Sequence, residues 1–209
     1  MKRNFLSLLP ICIVGQILLT LLFSQTAHAN IGASPAINLA GQVLYVRSMA
    51  DGTGSELVKT DATNPSVDLA AIAINAHVFS SPVIDADGFV YVATLQTSSE
   101  STVYADDAKI VKFDSTLNKV WEFDAGSSVY STVALTNNFE GAFASGQSGQ
   151  LFFGTKDGNI ISINSNDGSQ NWLVETGFEI GGNAVLWPVN DSLVVANHAG
   201  EVLFLDQST

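Results

Sequence analysis

From residue 33 onward, apolar and polar positions alternate in runs too short for helices. Val43-Leu44-Tyr45-Val46, Phe89-Val90-Tyr91-Val92, Leu151-Phe152-Phe153 and Leu193-Val194-Val195 form one set. A second set follows at Glu56 to Thr60, Lys109 to Phe113, Asn159 to Ile163 and Glu201 to Leu205. Short runs of β-branched and aromatic residues with period two predict strands. Between them, Asp87-Gly88, Asp157-Gly158 and Asp167-Gly168 supply the positive-φ residues that tight hairpins require, and Ala199-Gly200 takes the equivalent place before the last run. No segment in this region shows the 3.6-residue periodicity of an amphipathic helix.

The strands recur as a unit. Small-residue opening steps fall at Pro35, Pro82, Val133 and Ala184, at spacings of 47, 51 and 51 residues. Further strands carrying Trp121 and Trp172 close the second and third copies. Four antiparallel strands per unit of this length predict an all-β fold, a β-propeller of four-stranded antiparallel blades. The blades fall at about 33–79, 80–130, 131–181 and 182–209, the last incomplete, so that about three and a half blades are present. A stacked solenoid uses shorter repeats, while a β-sandwich remains the alternative with similarly spaced strands. Two insertions, Gln96 to Asp107 and Asn137 to Gly149, are rich in small and polar residues, as exposed hairpin extensions are. An open array of blades exposes strand edges and one blade face, which predicts a partial propeller belonging to a longer one. Self-assembly of partial propellers and a distorted four-blade ring are the other solutions.

Residues 1–29 have the layout of a secretory signal peptide: Lys2 and Arg3, a mostly apolar stretch from Phe5 to Phe23, and the small-residue box Ala27-His28-Ala29. The length of the apolar stretch keeps an uncleaved membrane anchor open as the alternative. Cleavage before Asn30 makes residues 30–209 the mature chain, periplasmic or secreted and without membrane contact. The single cysteine, Cys12, lies in the leader, so the mature part forms no disulfide, and Leu9-Pro10-Ile11 before it is not a lipobox. The formal charge is −12, and only Arg47, Lys59, Lys109, Lys112, Lys119 and Lys156 are basic beyond the leader. Nucleic-acid binding requires clustered cations that displace counterions from phosphate, and this composition excludes it.

Lys112-Phe113-Asp114-Ser115-Thr116-Leu117-Asn118-Lys119-Val120-Trp121 and Ile163-Asn164-Ser165-Asn166-Asp167-Gly168-Ser169-Gln170-Asn171-Trp172 approximate Ala-x-Asp-x-x-Thr-Gly-x-x-x-Trp. With the opening pair from Ser80 to Val92, these segments resemble the PQQ-like, or quinoprotein-like, β-propeller repeat. The resemblance implies that Trp121 and Trp172 pack between neighbouring blades. It also implies turn roles for Asp87, Gly88, Asp114, Asp157, Gly158, Asp167 and Gly168. In the first copy Asp68-Leu69 stands where the motif has Trp, and the fourth copy reaches Asp206-Gln207-Ser208-Thr209 without one.

Chemistry is sparse. Some members of this superfamily bind pyrroloquinoline quinone and calcium, which requires a carboxylate and amide cluster, and no such set is evident. Asp85-Ala86-Asp87-Gly88 and Asn164-Ser165-Asn166-Asp167-Gly168 lack the bidentate Glu of a calcium loop and read as turns. His77 and His198 are too isolated for a zinc site. Gly146-Gln147-Ser148-Gly149 is not a nucleophile elbow. The expectation is an exported, non-enzymatic scaffold with no catalytic, cofactor or metal residues, binding a protein partner through 96–107 and 137–149. The alternative is the N-terminal fragment of a PQQ- and calcium-dependent dehydrogenase.

Overall fold

The computed structural model describes residues 33–95, 108–136, 149–187 and 191–208. Within them four antiparallel sheets follow one another along the chain. Blade 1 comprises β1 (Ala36–Ile37), β2 (Gln42–Ser48), β3 (Ser55–Asp61) and β4 (Asn64–Ile74). Blade 2 comprises β5 (Val83–Ile84), β6 (Val90–Ala93), β7 (Lys109–Phe113) and β8 (Lys119–Asp124). Blade 3 comprises β9 (Ala134–Leu135), β10 (Gln150–Gly154), β11 (Asn159–Asn164) and β12 (Gln170–Glu175). Blade 4 shows three strands, β13 (Val185–Trp187), β14 (Ser192–Ala196) and β15 (Val202–Asp206). Strand order within each sheet is sequential, as in a partial β-propeller. Each opening step, at Pro35, Pro82, Val133 or Ala184, stands one residue before the first strand of its blade.

Period-two alternation gives each blade a leading face toward the preceding blade and a trailing face toward the next. Leu44, Val46 and Leu57 on the trailing face of blade 1 meet Val90, Val92, Val111 and Phe113 of blade 2. Tyr91, Ala93 and Ile110 of blade 2 meet Leu151, Phe153, Ile161 and Ile163 of blade 3. Phe152 and Ile160 of blade 3 then meet Leu193 and Val195 of blade 4. The core is therefore three blade–blade interfaces rather than one centre, which explains why the central strands are apolar on both faces.

Two hydrogen-bond series repeat with the blades. Along the innermost strands, Ser34 N–H donates to Ser81 Oγ at 2.8 Å, Ser81 N–H to Thr132 Oγ1 at 3.2 Å, and Thr132 N–H to Asn183 Oδ1 at 2.9 Å. At the outer rim, each blade donates to a backbone carbonyl in the β3–β4-type turn of the next. Lys59 Nζ reaches Ser115 O at 2.6 Å, Lys112 Nζ reaches Ser165 O at 2.7 Å, and Trp172 Nε1 reaches Gln207 O at 3.1 Å. Trp121 Nε1 shares Ser165 O at 3.3 Å.

Register corrects one expectation from sequence. Trp121 pairs with Lys112 and Trp172 with Ser162, and the equivalent pair in blade 1 is Ala70 with Lys59. Ala70, not Asp68 or Leu69, therefore occupies the Trp position. Blade 1 carries register irregularities on both sides of Thr60, and these take up residues that the motif spacing does not count. The turn opposite is altered in a matching way. Gly168, at φ +75°, lies beneath the Trp121 ring, where an added Cβ would stand 3.0 Å from Cδ2 and Cε3. Its counterpart facing blade 1 is Leu117, at φ +67° and 3 % exposed, in the same cluster as Ala70. A left-handed leucine costs about 1–2 kcal/mol, which burial of its side chain, about 1.5–3 kcal/mol, offsets. A large-on-small contact between blades 2 and 3 is thus reversed between blades 1 and 2.

The reversal is testable. Ala70→Trp alone should destabilise by about 1–3 kcal/mol through overpacking, and Leu117→Gly alone should also destabilise, through lost burial. Together they should recover at least about 1 kcal/mol relative to the sum of the two, measured by chemical denaturation. Strict additivity would exclude the pairing.

Candidate functional site

The interface between blades 1 and 2 is built from smaller side chains than the next one. At equivalent positions Trp121 and Phe123 of blade 2 correspond to Ala70 and Ile72 of blade 1, and Phe153 of blade 3 to Val92 of blade 2. Between blades 2 and 3, Trp121 and Phe123 pack onto the core, with Phe123 edge-on to Phe153 at 6.1 Å between centroids. Between blades 1 and 2 the corresponding space is partly open, and a cleft of about 500 Å³ runs beside the C-terminal half of β4. Its apolar wall includes Ile72, Ile74, Val111, Phe113 and Leu117. Lys109, Lys119 and Glu122 line it on the blade 2 side, with Lys109 Nζ 2.8 Å and Lys119 Nζ 2.7 Å from the Glu122 carboxylate. Hydrogen bonds from Lys109 and then Lys119 hold the Glu122 carboxyl below its ordinary range. An apolar wall edged by a few fixed charges suits a side chain or short segment that ends in a polar group.

Strand direction places the two insertions. The β5–β6 and β11–β12 turns share one rim, since Tyr91 Oη donates to Asp85 Oδ2 at 2.9 Å and lies 3.4 Å from Ser165 O. Gly149, which enters β10, accepts from Ser165 N–H at 2.8 Å on that rim and donates to Ser165 Oγ at 2.9 Å. Thr94, at the end of β6, lies on the opposite rim, where its carbonyl accepts from Val129 N–H. Insertions 96–107 and 137–148 lie outside the described residues, but the strand ends that carry them face opposite ways. Thr94 and Lys109, which flank 96–107, both line the cleft.

A polar cluster is buried between blades 2 and 3. Lys112 is 4 % exposed, with Nζ 4.0 Å from the centroid of the Phe89 ring and bonded to Ser165 O. Burial lowers the Lys112 ammonium from its ordinary range, while Asp85 and Asp87 oppose that shift. Burial also raises the Tyr91 phenol, reinforced by the Asp85 carboxylate. Each of these groups has a partner, so the cluster functions as a joint between blades. Neither Lys59 nor Lys112 is marked by any motif. The signal that identifies them is that both occupy the same repeat column, in strands otherwise buried on both faces.

The turn residues are placed as follows. Gly88, Gly158 and Gly168 have φ of +85°, +94° and +75°. Asp87 N–H donates to Asp85 Oδ1 at 3.0 Å, so the side chain organising that turn is Asp85. Asp157 accepts from Thr155 Oγ1 and from Asn159 Nδ2. Asp167 accepts from Ser169 N–H at 2.9 Å. Asp114 accepts from Thr116 N–H at 2.8 Å and Asn118 N–H at 2.9 Å, and also from both side chains. The same turn geometry recurs at Asp61, Asn164 and Asp206, whose side chains accept the N–H two residues on. Trp121 tilts against Tyr91 at 6.0 Å and Trp172 against Phe152 at 5.7 Å. His77 and His198 do not meet, and His198 Nδ1 lies 3.7 Å from Glu179.

Quinone and calcium binding needs several carboxylates and amides converging on one point. Among the described residues, no group of three or more His, Cys, Asp or Glu is placed to hold a metal ion. The described acidic side chains are dispersed among turns and ion pairs, a donor set that does not fit that chemistry.

Many solved structures are similar in fold, two of them as follows. The chain matches BamB from Moraxella catarrhalis with a TM-score of 0.63 and 16 % identity, over 88 % of this chain and 49 % of that one. It matches Sqt1 from Saccharomyces cerevisiae with a TM-score of 0.59 and 14 % identity, over 82 % of this chain and 44 % of that one. Both neighbours are propellers, and the chain spans about half the length of each. No family model and no curated protein sequence matches the chain.

Two measurements probe the joints. Trp121→Ala removes a ring packed on Gly168 together with its bond to Ser165 O, and unfolding free energy should fall by about 3 kcal/mol. The Asp114 carboxyl is held down to about 2 by Thr116 and Asn118. A carboxyl depressed in the folded state stabilises above its unfolded value, about 3.9, and that contribution is lost as pH falls through the folded value. Asp114→Ala should therefore lower Tm at pH 7, and its gap from the unaltered protein should close between about pH 4 and pH 2.

Proposed function

We propose that this chain is an exported, non-enzymatic PQQ-like propeller module that acts as a scaffold for a protein partner. The observation that carries the reading is the cleft between blades 1 and 2, lined by Thr94 and Lys109, each one residue inside a root of insertion 96–107. Strands that carry a loop beside a preformed apolar recess are a common arrangement for recognition. The fold of the two neighbours supports a scaffold role in general terms. The secretory layout of residues 1–29 supports export to the periplasm or beyond. Insertion 137–149 joins strands on the opposite rim, so a single compact partner engages one insertion or the other. The cleft favours 96–107. Trp121 and Trp172 belong to the scaffold in this reading, and neither quinone nor calcium has a part in it.

A photo-crosslinking residue at Lys119, introduced in the native host, should capture one protein species of defined mass. The same residue at Glu175, on the outer strand of blade 3, should not. Replacing 97–106 by a short Gly-Ser turn should abolish that capture with unchanged circular dichroism, while shortening 137–148 should leave it intact. Capture insensitive to loss of 97–106 would refute the cleft as the docking surface.

A further inference from the structure

The cleft between blades 1 and 2 touches Ile72, Ala73 and Ile74 of β4 and the two residues that follow. Successive side chains of a strand point to opposite faces, so a recess that touches consecutive residues reaches the edge of the strand. β4 is the outermost strand of blade 1, and no described strand pairs with its outer edge. This edge is built unlike those of the next two blades. β4 runs for 11 residues, against 6 in β8 and 6 in β12. β8 carries Lys119, Glu122 and Asp124, charges that discourage a further strand, and β12 ends on Glu175. From Leu69 to Ile74, β4 carries no charge, and Leu69 is 49 % exposed. Its one acid, Asp68, is bridged by Arg47 at 3.0 Å. A long, uncharged, apolar edge is a template for one more strand.

Charge narrows what that strand can be. Across the cleft from β4 stands a charged border, with Lys119 opposite Phe113 and Glu122 opposite Val111 in the β7–β8 ladder. One carboxylate there meets two ammonium groups, in a chain whose formal charge is −12. Lys59 crosses the same junction to Ser115 O, so three of the six basic residues beyond residue 30 gather at it. The Lys119 side chain is 56 % exposed and gives one N–H to Glu122, which leaves hydrogens suited to a second carboxylate.

We propose, resting on the reading of this cleft as a docking surface, that its occupant is an extended segment of another protein, added as a fifth strand to the outer edge of β4. The row of side chains facing blade 2 places apolar groups against Ile72, Val111 and Leu117 and an Asp or Glu at Lys119. Backbone pairing supplies affinity, and the alternate side chains supply selectivity. A second copy paired edge to edge would offer the lysines only the uncharged residues from Leu69 to Ile74.

The probe is a fluorescein-labelled peptide of alternating Val and Thr with one central Glu, titrated by fluorescence anisotropy. It should bind with Kd below about 1 mM, and its Lys counterpart at least about fivefold more weakly. Lys119→Glu should reverse that preference without changing far-UV circular dichroism. Methylating the backbone nitrogen of every second peptide residue blocks one edge of an extended chain. One of the two alternate methylation patterns should therefore abolish binding and the other spare it. Absence of binding, equal effects of the two patterns, or a charge preference indifferent to Lys119→Glu would overturn the proposal. So would a dimer of this chain that Leu69→Lys dissociates. Capture at Lys119 in the host without peptide binding would strike strand addition alone, whereas peptide binding without capture would strike the scaffold reading instead.

Discussion

The outer-rim carbonyl at the second residue of each β3–β4-type turn is the constraint on which the packing of the blades depends. A turn cannot satisfy all its own backbone acceptors, and stacking the next blade over it removes water from one of them. The preceding blade supplies the donor. The demand scales with burial. Ser165, 2 % exposed, receives both the Lys112 ammonium and the Trp121 indole, whereas the more exposed Ser115 receives Lys59 alone. Without such a bond a buried carbonyl costs about 1–3 kcal/mol, enough to favour a shifted or splayed neighbour. The bond therefore fixes the rotation of one blade on the next, while the apolar faces supply most of the attraction.

The difference between the first two junctions follows from the same logic. With Trp121 present, the opposing turn must offer glycine, and Gly168 does so. With Ala70 in that column, the turn can carry Leu117 and accept its strained φ, because the side chain fills part of the space the indole leaves. The substitution is incomplete, since Ile72 and Val92 are also smaller than Phe123 and Phe153. Of these smaller residues, Ile72 lines the cleft. The recess thus opens where Ile72 stands in a column that holds Phe123 one blade later.

Much of the fold is legible in the sequence because a propeller repeats both its strands and its turn chemistry. The opening steps at Pro35, Pro82, Val133 and Ala184 mark each first strand to within one residue. Asp-Gly pairs are legible because only glycine adopts their φ cheaply. The Trp column of blade 1 is not, because irregularities around Thr60 change the count between turn and strand and no local residue announces a bulge. Lys59 and Lys112 look like solvated charges until the repeats are aligned by register. The cleft is less legible still. It depends on the sum of side-chain volumes across two blades, which no window along one strand contains.

Topology also limits how the surface can be used. In an antiparallel four-stranded blade, the first and third connections emerge on one rim and the second on the other, whatever their sequence. The segment between β6 and β7 is therefore committed to the rim of Thr94, and that between β9 and β10 to the rim of Ser165. Lengthening a connection cannot move its roots, and the roots determine which surface its residues reach first. Of the two insertions, only 96–107 starts beside an apolar recess, and it does so between residues already fixed by strand pairing: Lys109 pairs with Asp124, and Thr94 N–H donates to Lys109 O. A partner docking at that rim, as proposed, would meet a wall of Ile72, Val111 and Leu117 that is already ordered, which would lower the entropic cost of binding there.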